Sequence, residues 1–179
     1  MATKYIIGLD GSAACVAWAI LNDRREIVAI SHGIIGDRPT IDARQIARWI
    51  KIHARHCHRP EITWAIETND FPKQIKTKKG IHSFRVCRWA EGRVLQALGI
   101  DNPMGVQASS KDKAKRRAKM EAKYADELQK QELWYTNASK SHRLCLRGRN
   151  RLSLLTEDEI DALAVADAAA TKVLVESLA

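Results

Sequence analysis

The chain has 179 residues, 45% of them hydrophobic, which is enough for a single domain, spanning 1–179, with a substantial core. Its 30 Lys and Arg against 21 Asp and Glu give a net charge of +9. A surplus of that size attracts polyanions and puts nucleic acid first among partners. No stretch is long and apolar enough to span a bilayer, no Cys sits at the C-terminus for lipidation, and the four scattered cysteines include no CxxC pair. A membrane protein, a zinc ribbon and a disulfide framework are therefore not expected. The thiols read as reduced, in a cytoplasmic or otherwise intracellular protein, and the first strand begins too early to leave room for a signal peptide.

That first strand is Tyr5-Ile6-Ile7-Gly8-Leu9-Asp10-Gly11-Ser12, an apolar run closed by one carboxylate and small residues. Asp10-Gly11 reads either as a simple turn or as an acid presented from a strand tip into a cleft. Residues 15–21 read as a second strand and 26–30 as a third; connections this short force antiparallel pairing. Asp37-Arg38-Pro39 breaks the pattern, and a helix is expected from about Thr40 to Cys57. Its end, His53 to His58, carries either a metal-ligand pair in His53 and Cys57 or a basic last turn that complements the helix dipole.

Residues 62–66 form a fourth strand that ends on Glu67, which repeats the opening arrangement. A strand following a crossover helix tends to lie parallel to its partner. Paired with the first strand, it would bring Asp10 and Glu67 out side by side, and two carboxylates on strands about 4.8 Å apart repel unless a cation or shared proton lies between them. A basic loop over 71–80 precedes a helix from about Ser83 to Leu98, which ends at Gly99. Met104 to Ala108 reads as a fifth strand. A strongly charged helix follows from Lys111 to about Leu133, and a second basic stretch without acids runs from Lys140 to Arg151.

The last element begins at Thr156, whose pairing with Glu159 is a capping box. Acids in a first helical turn suit the dipole, but Asp161 lies one turn further in, and Asp158 and Asp161 share a face. The small residues after them, Ala162, Ala164, Ala166 and Ala168, permit close approach to a sheet. Four acids, Asp10, Glu67, Asp158 and Asp161, would then converge as an oxygen-only site suited to Mg2+, with Mn2+ as a substitute. Metal-assisted phosphodiester hydrolysis uses all of these features. The expected DNA contacts are Lys76, Lys78, Lys79, Arg85, Lys111, Lys113, Lys115, Arg116, Arg117, Arg147 and Arg149.

Gly8-Leu9-Asp10 with Trp18-Ala19-Ile20, then Ala65-Ile66-Glu67, then Asp158 to Ala166 resemble the RuvC family of Holliday junction resolvases, within the RNase H-like superfamily. Glu91 to Leu98 resembles its central helix. The likeness covers most of the chain in order, and the final DxxDALA-like block is its most specific part. The resemblance implies an α/β, RNase H-like fold: a mixed five-stranded sheet, three strands antiparallel with two parallel additions, flanked by helices. It also implies a homodimer that makes paired nicks in four-way DNA junctions, with Asp10, Glu67, Asp158 and Asp161 as metal-binding catalytic acids and Lys111 near the scissile strand. The chain departs from the family in Gly11-Ser12, where Pro-Gly is usual, in Val16-Ala17, where Thr-Gly is usual, and in the weight of its basic segment over 111–123. Two alternatives remain open: an RNase H-like nuclease acting on flaps, other branched DNA or RNA–DNA hybrids, and a non-catalytic nucleic-acid-binding module.

Overall fold

The computed structural model describes residues 5–12, 15–58, 61–68, 78–107, 113–129 and 157–178, with backbone alone for 78–84. Strands β1 (Tyr5–Gly11), β2 (Cys15–Asn22) and β3 (Ile27–Ile34) form an antiparallel meander. Asn22 shapes the second connection. Its Oδ1 accepts from the amides of Arg24 (3.0 Å) and Glu26 (2.8 Å), while Arg25 takes a left-handed φ of 61°. Helix α1 (Pro39–His53) then carries the chain across to β4 (Ile62–Glu67), which lies parallel to β1. Helix α2 (Lys78–Leu98) leads to the short β5 (Met104–Val106), parallel to β4. The sheet order is β3-β2-β1-β4-β5. Helix α3 (Lys113–Lys123) follows, with helical residues 125–129 after a turn at Tyr124, and α4 (Glu157–Leu178) comes last.

Strand alternation sorts the sheet into two faces. Ile7, Leu9, Val16, Trp18 and Ile20 pack with α1 and α2, and Ile6, Ala17, Ala19, Leu21 and Ala65 pack with α4. Because side chains alternate, Asp10 shares the α4 side with Ile6 and Gly8, and Gly11 turns to the α2 side. Gly8 lets α4 settle against β1: a Cβ there would stand 2.4 Å from the Ala166 nitrogen and 2.6 Å from the Ala162 oxygen. Helix α3 covers α4 from outside, placing Met120, Tyr124 and Leu128 in the same cluster. No helix among the described residues is long and apolar enough to cross a membrane.

Several element bounds differ from the expectation. Helix α1 stops at His53, four residues short of Cys57, because His53 is buried as the acceptor for the Trp18 indole N–H at 3.1 Å. Helix α2 starts at Lys78, so Lys78 and Lys79 belong to a helix and not to a loop. The fifth strand is only Met104–Val106. The charged helix breaks at Tyr124 instead of running to Leu133. Thr156 and the basic stretch over 140–151 lie outside the described residues.

Candidate active site

The parallel register of β1 and β4 sets Leu9 opposite Ile66, so Asp10 and Glu67 follow at adjacent strand tips. Both are buried, at 6% and 7% exposure, and both lie on the face covered by α4. Acids at the tips of rigid strands are positioned by the sheet, which restricts where the carboxylates can move. Helix α4 brings Asp161, fully buried, and Asp158 to the same end. Asp158 is held by Cys15 at the start of β2, whose thiol donates to Oδ2 at 2.9 Å. Burial and that hydrogen bond push the Cys15 thiol up to about 12, so it stays protonated and serves as a donor. One turn's face further round α4, the buried Glu159 pairs with His32 of β3 at 3.1 Å, which clamps the helix start to the sheet.

The cations that answer this acidity come from α3. Arg116 places one Nη 2.9 Å from Glu67 Oε1 and the other 2.9 Å from Asp161 Oδ1. Arg117 grips Asp161 through Nε at 3.2 Å and Nη2 at 2.7 Å, and reaches Glu157 at 2.7 Å. Lys113 stands 3.6 Å from Asp161. Burial alone would raise the Asp161 carboxyl, but the Arg117 and Arg116 hydrogen bonds hold it below the usual carboxylate range. Burial likewise opposes the charge on Arg116, and its two carboxylates more than offset that and raise its pKa.

Arg116 departs from its expected role as a phosphate contact. It is 3% exposed and turned inward, because two buried acids offer it stronger partners than water does. Arg117 is half-buried at the rim, Lys113 and Lys115 are exposed on α3, and Arg85 is exposed on α2. Lys78 and Lys79 lie in the first turn of α2, in the segment described by backbone alone, and Lys76, Lys111, Arg147 and Arg149 lie outside the described residues.

Glu91 is a fifth buried acid that the sequence reading passed over. Its Oε1 accepts the Gly11 amide at 2.7 Å and its Oε2 accepts from Arg88 at 2.7 Å. A Cβ on Gly11 would meet Glu91 Cγ at 2.5 Å and the Cys87 carbonyl at 2.8 Å, so glycine is what lets α2 approach the peptide that follows Asp10. The signal was present in the spacing. Glu91 stands four residues after Cys87 and three before Val94, inside the apolar stripe of α2. Arg116 carried a similar signal, four residues before Met120 and eight before Tyr124 on α3.

Asp10 receives no hydrogen bond or ion pair from any described residue. Burial pushes its carboxyl up to about 8, helped by Asp161, Glu91 and Glu67, with Lys113 opposing. Burial also pushes Glu91 up to about 7, against Arg88 and the Gly11 amide. A carboxyl so crowded by others is one that a cation would relieve, and the oxygen donors suit a hard divalent ion. Among the described residues no three His, Cys, Asp or Glu side chains already converge closely enough to hold a metal. The hydrogen bonds give the reason: Glu67 and Asp161 are drawn to guanidinium groups and Asp158 to the Cys15 thiol. The donor set fits a divalent cation, and the ligand geometry is taken up by internal partners.

No family model matches the sequence, and no curated protein matches it. In structure the chain is similar to Thermus thermophilus RuvC in complex with a Holliday junction substrate, with a TM-score of 0.51 and 15% identity over 97% of this chain and 95% of that one. The fold is RuvC-like. A second Thermus thermophilus RuvC structure superposes with a TM-score of 0.47 and 15% identity, covering 97% of this chain and 96% of that one. The RuvC-like, RNase H-like architecture is the mixed five-stranded sheet flanked by helices described above, and it puts Asp10 and Glu67 at the centre of the sheet.

Proposed function

We propose that this chain is a divalent-metal-dependent endonuclease, organised as one nuclease domain, that resolves four-way DNA junctions by paired phosphodiester hydrolysis as an intracellular homodimer. The observation that carries the reading is the meeting of Asp10 and Glu67, on adjacent parallel strand tips, with Asp158 and Asp161 from α4, beside a cationic helix. The RuvC neighbour bound to a Holliday junction supports a branched-DNA substrate.

Asp10, Glu67, Asp158 and Asp161 would hold the ion. When bound, Mg2+, or Mn2+ in its place, would supply polarisation of the phosphodiester and a more acidic attacking water. The chain's own residues do the rest. Glu91 fixes the Gly11 amide and so the backbone that carries Asp10. Cys15 and Arg117 orient Asp158 and Asp161. Lys113 and Lys115, exposed on α3, lie where a phosphate backbone can be held beside the acids.

The test is a substrate panel at fixed salt: a four-way junction, a flap, a linear duplex and an RNA–DNA hybrid, each with and without Mg2+. Mg2+-dependent cleavage of the junction above the others is expected. Preferential cleavage of the flap or hybrid would move the reading to an RNase H-like nuclease of another substrate class. Binding without cleavage under any metal would make the chain a nucleic-acid-binding module.

A further inference from the structure

We propose that Arg116 is a built-in cation of this centre, so that the DNA-free protein takes a single divalent ion, on the Asp10 and Asp158 side. The inference rests on the nuclease reading above and adds to it the number of ions. Its first support is geometric. The Arg116 guanidinium spans the two carboxylates that face each other across the strand tip and α4, one Nη at 2.9 Å from each. That is the place a cation bridging Glu67 and Asp161 would take. A guanidinium cannot lose its charge in a protein, so it neutralises these acids at every working pH.

The second support is that Arg116 is anchored and its neighbours are not. Its side chain is 2% exposed, against 20% for Arg117 and 62% for Lys113. Helix α3 is fastened from behind by Met120 and, just beyond it, by Tyr124 and Leu128 in the core. At its far end Lys123 and the Tyr124 hydroxyl both reach Asp167 of α4. Withdrawing Arg116 would require this helix to leave its seat, whereas Arg117 and Lys113 can turn to a phosphate with α3 in place.

The third support is charge. With every acid ionised, six carboxylates at this end of the described structure (Asp10, Glu67, Glu91, Glu157, Asp158 and Asp161) face four cations, Arg88, Lys113, Arg116 and Arg117. Two negative charges are left over, which is the charge of one divalent ion. They are left over on one side. Glu67, Glu91, Glu157 and Asp161 all have guanidinium partners, Asp158 has only a thiol, and Asp10 has no described partner.

The experiment is a Mn2+ titration of the DNA-free protein followed by electron paramagnetic resonance, which counts bound ions and detects spin coupling between close pairs. Wild type is expected to bind one Mn2+ per chain without coupling, and Arg116→Gln to bind a second that couples to the first. Two coupled ions in wild type, or one ion in both proteins, would overturn the proposal. A measurement on wild type alone keeps the test independent of how the variant folds. The Arg116 side-chain N–H resonances should stay protected from exchange at saturating Mg2+, and their loss would show the guanidinium displaced. Asp10→Asn separates the two claims. It should bind no Mn2+ in this range. Wild-type-like binding by that variant, or none by wild type, would overturn the nuclease reading itself.

Discussion

Asp10 and Glu67 sit a strand apart and are stabilised in opposite ways, which makes them separable by substitution. Asp10 is crowded by acids, its carboxyl pushed from 3.8 to about 8, and Glu67 is paired with a buried guanidinium. A carboxyl whose pKa is raised on folding holds a proton that the unfolded chain has released. Its contribution is therefore full below about pH 4 and is lost as pH rises towards 8, by at most about 1.4 kcal/mol per pH unit. Glu91, raised from 4.5 to about 7, acts in the same sense over its own window. Without divalent ions the melting temperature should fall between pH 5 and pH 8, and added Mg2+ should recover more of it at pH 8 than at pH 5. A melting temperature indifferent to both would show that these carboxyls are not crowded as described. In metal-free buffer Asp10→Asn should be neutral or stabilising. Glu67→Gln should lose stability, on the order of the 3–5 kcal/mol typical of breaking a buried ion pair, as read by denaturant unfolding.

At the scale of elements, α4 organises the site, and one glycine and two acids along it have distinct effects. Gly8→Ala would drive a methyl into the α4 backbone, which cannot move aside as a flexible side chain can. It should destabilise by at least the roughly 1–3 kcal/mol of ordinary overpacking and loosen Asp161 with the helix. Asp161 and Asp167 lie six residues apart and turn different ways: Asp161 meets Arg116 and Arg117, and Asp167 meets Lys123, Tyr124 and Arg25. Asp161→Asn should remove Mg2+-dependent cleavage, while Asp167→Asn should lower thermal stability and leave metal dependence in place. If both variants lose metal dependence alike, Asp167 belongs to the centre and the assignment of α4 faces is wrong. The strands, their order and the placing of α4 were legible because apolar runs ending on Asp10 and Glu67, and a DxxD followed by alanines, each have one economical arrangement. The inward turn of Arg116 was not, since a run of cations has no periodic apolar face strong enough to reveal which of them is buried. Glu91 was hidden differently: one acid within an apolar stripe reads as a surface residue until its partner Gly11 is placed beside it.

Over the whole molecule, the charge of +9 coexists with an acid-rich cleft at the end of the sheet, so the cationic surface has to hold DNA that the cleft alone would repel. Phosphate contacts release counterions and make affinity fall steeply with salt. Lys115→Gln with Lys119→Gln, both exposed on α3, should weaken binding to all branched DNAs alike and flatten the salt slope. An effect confined to four-way junctions would mean that these residues read shape and not charge. Junction preference should come instead from two centres related by a twofold axis, the symmetry of a homodimer. The central claim, that the Asp10 carboxylate centre performs paired hydrolysis, is tested most directly by mapping cut sites on a four-way junction in a supercoiled plasmid, with wild type and Asp10→Asn compared under Mg2+. Wild type should nick two opposing strands of one junction, and Asp10→Asn should bind the junction as well as wild type and cut neither strand. Cleavage by Asp10→Asn at the wild-type rate, or isolated single nicks by a wild-type monomer, would contradict the account.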